Sequence, residues 1–66
     1  MEVITMENKR YLRAADVAEA LEVSIPMAYR IIRKLNDELN EMGYLTVSGR
    51  VSKFFFEKKF FFEQSA

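Results

Sequence analysis

The 66-residue sequence has no cysteine and no histidine, and it contains only one proline and two glycines. Without cysteine no disulfide can stabilise the chain, and without either residue the common cysteine and histidine metal sites are excluded. The lack of cysteine also fits a reducing compartment, so the cytoplasm is the expected location. No apolar run reaches the roughly 20 residues of a membrane span, and no secretory signal pattern begins the sequence. A chain of this length buries roughly 60% of its unfolded surface, so one small core has to stabilise it.

Neither sign of charge is in excess, because ten basic residues balance ten acidic residues. A neutral chain is not typical of nucleic-acid binders, many of which are strongly basic. The charges are nevertheless segregated along the sequence. The basic clusters are Lys9, Arg10 and Arg13, then Arg30, Arg33 and Lys34, then Arg50, Lys53, Lys58 and Lys59, with acidic residues between the clusters. Segregation of this kind can give a neutral molecule one basic face.

Two helical patterns separated by three residues are the most informative feature of the sequence. The first pattern covers residues 14 to 21, and its inward positions are Val17, Ala18 and Leu21. The second pattern begins directly after Ser24, a favourable N-cap, and ends near Met42, just before Gly43. Two helices joined by so short a turn must cross steeply, which is the arrangement of a DNA-binding helix-turn-helix.

The second pattern has an apolar stripe and a charged side when it is projected at about 100° per residue. The stripe, which predicts the core-facing side, consists of Ala28, Ile31, Ile32, Leu35, Leu39 and Met42. The opposite side carries Arg30, Arg33, Lys34, Asp37 and Glu41. This helix should therefore bury one side and expose the other.

The rest of the sequence predicts an extended lead-in that Leu12 anchors, a hairpin and a helix. Residues 44 to 47 and 50 to 51 favour β-structure and flank a Ser-Gly pair, so they predict a hairpin that would serve as a wing. The six phenylalanines between positions 54 and 62 fit a helix better than a strand or a frayed tail. A helix that is aromatic on all sides cannot bury every ring in so small a monomer, so some rings should meet a partner or lie exposed.

The predicted fold class is therefore mainly α with a small β-hairpin, arranged as a winged helix-turn-helix. One DNA-binding domain should span residues 10 to 62. Residues 1 to 9 and 63 to 66 should be tails, with a short strand at residues 2 to 5 as the alternative for the first of them.

A helix-turn-helix presents the N-terminal half of its second helix to the major groove of DNA. Arg30 and Arg33 would face outward there, and the forked arginine side chain is best suited to guanine O6 and N7. Lys34 would neutralise a phosphate, and Ser24 could donate to a phosphate while it caps the helix. Tyr29 either packs over the turn or contacts DNA.

Further candidate contacts come from an apolar position and from the predicted wing. Met27 could touch a thymine methyl group, although burial is its expected role. Arg50 should reach a phosphate or the minor groove, with Gly49 allowing close approach, and Lys53 would begin the last helix beside them. The complete set of candidate DNA-binding residues is Ser24, Met27, Tyr29, Arg30, Arg33, Lys34, Gly49, Arg50 and Lys53.

A structural interpretation of the charged side is the alternative. Arg33 and Asp37 are four residues apart, as are Lys34 and Glu38, and such pairs support an exposed helix. However, the acidic residues gather near the C-terminal end, where the helix dipole disfavours them, so helix stability does not explain the charge order. A protein-interaction module that uses the Phe-rich segment and the Met27 region is a second alternative.

Nothing in the sequence predicts catalysis or a bound cofactor. There is no nucleophile elbow and no glycine-rich phosphate-binding loop, and the carboxylates are spread as solvated helix surfaces would spread them. The expectation is a protein that is not an enzyme and that binds no cofactor and no metal.

The segments Tyr11-Leu12, Asp16-Val17-Ala18, Val23-Ser24, Ala28-Tyr29-Arg30-Ile31-Ile32 and Leu35-Asn36 carry a resemblance to a known family. Through them the sequence resembles the small winged helix-turn-helix proteins of bacterial mobile elements and phages, the excisionase-like, MerR-related DNA-binding domains. The resemblance covers about residues 10 to 62 and implies a recognition helix at 25 to 42 and a wing around 44 to 51. Glu22 stands where many helix-turn-helix proteins have glycine, so a left-handed backbone there would carry strain.

The resemblance implies a non-catalytic role in DNA recombination or, as the alternative, in transcription regulation. Excisionases bind and bend duplex DNA near an attachment site, often as several cooperating copies, and so direct a separate integrase towards excision. Bending costs energy, so many contacts to phosphates and to neighbouring copies are expected. The implied partners are double-stranded DNA, further copies of the chain in a homodimer or cooperative oligomer, and an integrase, with no membrane.

Overall fold

The computed structural model describes residues 10 to 62, so the two predicted tails and the alternative strand at residues 2 to 5 lie outside the described residues. The chain forms strand β1 (Tyr11–Arg13), helix α1 (Ala14–Leu21), helix α2 (Ile25–Glu41), strand β2 (Arg50–Ser52) and helix α3 (Lys53–Glu57), which continues into a π-helical turn (Lys58–Phe62). In this part of the chain no helix is both long enough and apolar enough to cross a membrane.

The two predicted helices and the turn between them are confirmed. α1 ends at Leu21, and its C-cap residue Glu22 has a left-handed backbone (φ 57°, ψ 49°), as expected at a position where many such turns have glycine. α2 begins after Ser24, whose hydroxyl oxygen accepts a hydrogen bond of 3.3 Å from the N–H of Met27. Gly43, with φ 97°, follows the end of α2 as the predicted left-handed stop. Residues 14 to 41 therefore form a helix–turn–helix unit.

The core lies between the helix–turn–helix unit, the sheet and α3. The buried apolar residues are Leu12, Ala14, Val17, Ala28, Ile32, Leu35, Val51, Phe55 and Phe56, with Ala18, Leu21, Ile31 and Leu39 partly buried against them. The predicted inward positions of both helices are thus confirmed except for Met42, which is 55% exposed. α2 ends at Glu41 and the chain turns at Gly43, so Met42 lies beyond the last helical turn that packs on the core.

The small antiparallel sheet is present, but its predicted pairing was wrong. β2 pairs with β1, with Leu12 opposite Val51, and residues 44 to 47 form no strand. The polar groups around residues 44 to 50 are satisfied by α2 instead of a neighbouring strand. The N–H of Tyr44 donates to the carbonyl of Leu39 at 3.0 Å, and the side chain of Asn36 binds the carbonyls on both sides of the Ser48-Gly49 turn. The predicted hairpin is therefore a loop, which we call the 44–49 loop.

The Phe-rich segment is helical, as predicted. Ser52 caps α3 by accepting a hydrogen bond from the N–H of Phe55 at 3.2 Å. Phe56 is buried, and its ring centroid lies 5.1 Å from that of Phe60. Phe54 is 75% exposed and Phe61 is 54% exposed, which confirms that the segment cannot bury all of its rings.

Candidate nucleic-acid interface

Three basic residues on the N-terminal half and middle of α2 form the main cationic surface of the described chain. Arg30, Arg33 and Lys34 are all exposed, and at about 100° per residue they lie on the side of α2 away from the buried stripe. We call these three residues the cationic face. Within residues 10 to 62, none of them makes an ion pair, and Glu38 pairs with Lys59 at 3.2 Å instead of with Lys34. Their charges therefore face solvent without a carboxylate partner.

The N-terminal end of α2 places one polar and two apolar side chains beside the cationic face. The hydroxyl of Ser24 uses its oxygen to cap the helix, so its O–H hydrogen is able to donate to an anion. Ile25 is 45% exposed and Met27 is 41% exposed. The expected burial of Met27 was wrong, because the side of α2 that packs on the core carries Ala28 and Ile31 and leaves Met27 at its edge. Both apolar side chains are accessible to a ligand.

The 44–49 loop lies against α2, and residues from both halves of the helix line the cleft between them. Gly49 has φ 80°, and a Cβ atom built on it would lie 3.9 Å from Cε1 of Tyr29. Tyr29 has 54% of its surface exposed and lines the cleft between the helix and the loop together with Gly49. Arg33 and Thr46 line the same cleft. Tyr29, Arg33 and Gly49 are thus brought together from two separate parts of the sequence.

Asn36 fixes the loop to the helix, and the sequence reasoning assigned it no role. Its side chain is buried (8% exposed) and its amide nitrogen donates to the carbonyl of Val47 at 3.2 Å and to the carbonyl of Arg50 at 2.8 Å. One turn further along α2, Asn40 accepts a hydrogen bond of 3.2 Å from the hydroxyl of Thr46 at an exposed position. The sequence feature that could have indicated this role is an amide residue next to Leu35, at the edge of the apolar stripe of α2.

The two predicted site residues of the sheet and α3 have different surroundings. Arg50 is exposed at the start of β2 and lies directly opposite Arg13 on β1, a residue that was not among the candidates. Lys53 begins α3, as predicted, and its ammonium group pairs with Glu57 at 3.1 Å. Arg50 is therefore the better placed of the two to bind an external anion.

Acidic residues mark the end of the cationic surface. Asp37 and Glu41 continue the outward side of α2 one and two turns beyond Arg33, and both are exposed. An anionic ligand would meet repulsion there, so the surface suited to it is the N-terminal half of the helix together with the 44–49 loop.

The fold and this surface define a small, mainly helical protein with a two-stranded antiparallel sheet, in which the helix after a three-residue turn carries exposed cations that make no ion pair among residues 10 to 62. No family model matches the chain, and no solved structure matches it. The chain is 40% identical over 48 residues to the ICEBs1 excisionase of Bacillus subtilis (strain 168), and the alignment covers 73% of this chain and 75% of that protein. This chain therefore belongs to the excisionase family that the Bacillus protein represents.

Proposed function

We propose that this protein binds duplex DNA without catalysing a reaction and acts as an excisionase, a factor that directs recombination towards excision of a mobile element. The observation that carries the proposal is the cationic face, where Arg30, Arg33 and Lys34 are exposed on the second helix of a helix–turn–helix unit and make no ion pair within the described residues. The family membership supports the same role, since the Bacillus relative is named an excisionase.

The proposed contacts follow the winged helix-turn-helix mode of binding. α2 would enter the major groove with its N-terminal half, where Arg30 and Arg33 donate to guanine O6 and N7 and Lys34 neutralises a phosphate. Ser24 would donate to a backbone phosphate at the helix end. The 44–49 loop would act as the wing, with Gly49 allowing the backbone to approach and Arg50 reaching a phosphate or the edge of the minor groove.

The recombination role requires that the protein change the shape of DNA. We infer that it bends DNA beside an attachment site and so favours assembly of an integrase on that site. The energy needed to bend a short duplex is of the order of 1 to 6 kcal/mol and has to come from protein contacts. A neutral molecule of 66 residues offers few cations for this, so we infer that several copies cooperate on one DNA.

Selection of bound duplexes from a random pool tests DNA recognition directly. The wild-type protein should enrich a motif, and the Arg30→Ala, Arg33→Ala double variant should lose it because the base contacts are gone. A Lys58→Ala, Lys59→Ala variant removes the same charge from the C-terminal segment and should keep the motif. Enrichment that survives in the Arg30 and Arg33 variant would refute base reading by α2.

A transcription regulator would use the same surface, so DNA binding alone does not distinguish the two roles. They are distinguished by where the selected motif lies and by what the protein does to the DNA there. Measuring the mobility of DNA fragments that carry the motif at different positions reports bending. An excisionase should bend the fragment and should stimulate excision by the cognate integrase in a reconstituted reaction. Binding at a promoter without bending and without stimulation of excision would favour the regulator.

A protein-interaction role is the candidate from another class, and one feature favours it. Leu45 is 97% exposed and Phe54 is 75% exposed, and they line one groove together with Met42, Tyr44 and Val47. If this groove is the functional surface, the free protein should sediment as an oligomer at micromolar concentration, and Leu45→Ser with Phe54→Ser should return it to a monomer. DNA binding should then be absent at every salt concentration.

A further inference from the structure

The outer side of the two-stranded sheet carries two arginines directly opposite each other. In the antiparallel register Leu12 pairs with Val51, and Arg13 pairs with Arg50. Leu12 and Val51 are both buried, so the neighbouring pair projects to the other side of the sheet, where both arginines are exposed.

The backbone hydrogen bonds of Arg13 and Arg50 identify which kind of strand pair these two residues form. The N–H of Arg13 donates to a carboxylate oxygen of Asp16 at 2.9 Å, and the N–H of Arg50 donates to the carbonyl of Val47 at 3.1 Å. Neither N–H is directed across the ladder, so Arg13 and Arg50 form a non-hydrogen-bonded pair. In such pairs the Cα atoms are only about 4.5 Å apart and the side chains are closer than elsewhere in the sheet.

Like charges directly opposite each other destabilise a sheet unless something neutralises them. Among residues 10 to 62 no carboxylate forms an ion pair with either guanidinium. The contact that Asp16 makes with Arg13 is to the backbone N–H and not to the guanidinium. The free protein thus holds two adjacent positive charges that no carboxylate among residues 10 to 62 neutralises through an ion pair.

The arginine pair lies at the end of the sheet that adjoins α2. Arg50 directly follows Gly49, which lines one cleft together with Tyr29 of α2. The carbonyl of Arg50 is also held at 2.8 Å by the side chain of Asn36 from the middle of α2. The position of the pair relative to the cationic face is therefore fixed by direct contacts.

We propose that Arg13 and Arg50 together bind one phosphate of the DNA backbone, beside the groove that the cationic face reads. The inference rests on the proposed DNA binding and adds a contact from strand β1. A phosphate accepts charge-assisted hydrogen bonds from both guanidiniums, so the repulsion in the free protein becomes attraction in the complex. The contact positions the protein on the duplex and carries no sequence information.

The test pairs protein variants with modified DNA. Arg13→Gln and Arg50→Gln are measured singly and together on the selected duplex, and on duplexes in which one phosphate at a time is replaced by a neutral methylphosphonate. Each single variant should lower the affinity roughly tenfold on every sequence and reduce the slope of log K against log salt by about 0.9. One methylphosphonate position should weaken the wild-type protein most, weaken each single variant less, because one arginine still contacts that phosphate, and leave the double variant unaffected.

A control variant and a stability measurement distinguish a phosphate contact from a structural role of the two arginines. Lys58→Gln removes one charge from the C-terminal segment and should respond to the methylphosphonate as the wild-type protein does. The melting temperature of free Arg13→Gln and Arg50→Gln should stay level or rise, because repulsion is relieved. A fall in melting temperature together with lost binding would indicate a structural role and overturn the inference.

The remaining outcomes distinguish this inference from the proposed function. If Arg13→Gln leaves the affinity unchanged, or if the two arginines respond to different phosphates, the shared contact is wrong while DNA binding by α2 stands. If the wild-type protein shows no salt-sensitive binding to any duplex, the proposed function is wrong and this contact is overturned with it.

Discussion

Replacement of Asn36 by leucine should destabilise the protein far more than the same replacement at Asn40. Leucine has a similar branched shape but no donor, so the carbonyls of Val47 and Arg50 lose the hydrogen bonds of 3.2 and 2.8 Å that now reach them from a buried amide. Asn40 contributes one hydrogen bond of 3.2 Å to Thr46 at an exposed position, where water can take its place.

The magnitude follows from the number of groups left without a partner. The carbonyl of Val47 keeps the N–H of Arg50 at 3.1 Å, so only the carbonyl of Arg50 is left without a donor. A buried carbonyl that loses its donor costs about 1 to 3 kcal/mol, so Asn36→Leu should cost about 2 kcal/mol. Loss of the exposed bond in Asn40→Leu should cost less than about 0.5 kcal/mol. Both changes improve helix propensity by a similar amount, so their difference isolates the buried hydrogen bonds.

Urea denaturation followed by circular dichroism measures this difference. A domain of this size has roughly 3 to 10 kcal/mol of stability in total, and the urea slope is about 1 kcal/mol per molar. The midpoint of Asn36→Leu should therefore lie about 1 to 2 M below that of Asn40→Leu. Midpoints that agree within about 0.3 M would refute the reasoning, because water would then satisfy the two carbonyls as well as Asn36 does.

Three further predictions concern the turn, the outward side of α2 and the aromatic core. Glu22→Gly should raise the melting temperature by about 2 to 6 °C, because glycine adopts the left-handed backbone without strain, although it also makes the unfolded chain more flexible. A melting temperature below that of the wild-type protein would contradict strain at this turn. Asp37→Asn should tighten DNA binding about three- to tenfold at low salt, and the gain should become smaller as the salt concentration rises. Glu19→Gln, at an exposed position of α1, should leave the affinity unchanged; equal effects of the two changes would mean that only the net charge of the protein matters. Phe56→Ala should cost about 3 to 5 kcal/mol in a urea titration and Phe54→Ala less than about 0.5 kcal/mol, and similar costs would mean that the exposed ring is packed.

The parts of the fold that were predictable from the sequence are those that depend on local spacing. Periodicity and the capping residues at Ser24 and Gly43 placed both helices of the helix–turn–helix unit, because helical hydrogen bonds join residues four apart. The sheet was not predictable in the same way. Strand β2 pairs with a segment about 40 positions earlier, and no local feature of the Ser-Gly turn distinguishes that pairing from a hairpin.

The same distinction applies to the candidate site. Arg30 and Arg33 were predictable because a helical projection places them opposite the buried stripe. Arg13 was not, because its position opposite Arg50 exists only once β1 and β2 pair across the whole domain. Met27 was assigned to the interior because of its apolar side chain, and only the position of α1 leaves it 41% exposed.

The placement of the proposed wing depends on side chains and not on a strand ladder. A hairpin would hold its turn through backbone hydrogen bonds that any sequence can make. The 44–49 loop is instead held to α2 by two hydrogen bonds from Asn36 and by a weaker one to Asn40, and it forms a cleft with α2 that Tyr29 lines. Those contacts all start from the same face of the helix that carries Arg33. The distance between α2, the proposed base-reading helix, and the arginine pair on the sheet is therefore set in part by a few side chains of α2. Substitutions at Asn36 should consequently alter which phosphates the protein contacts before they alter which bases it reads.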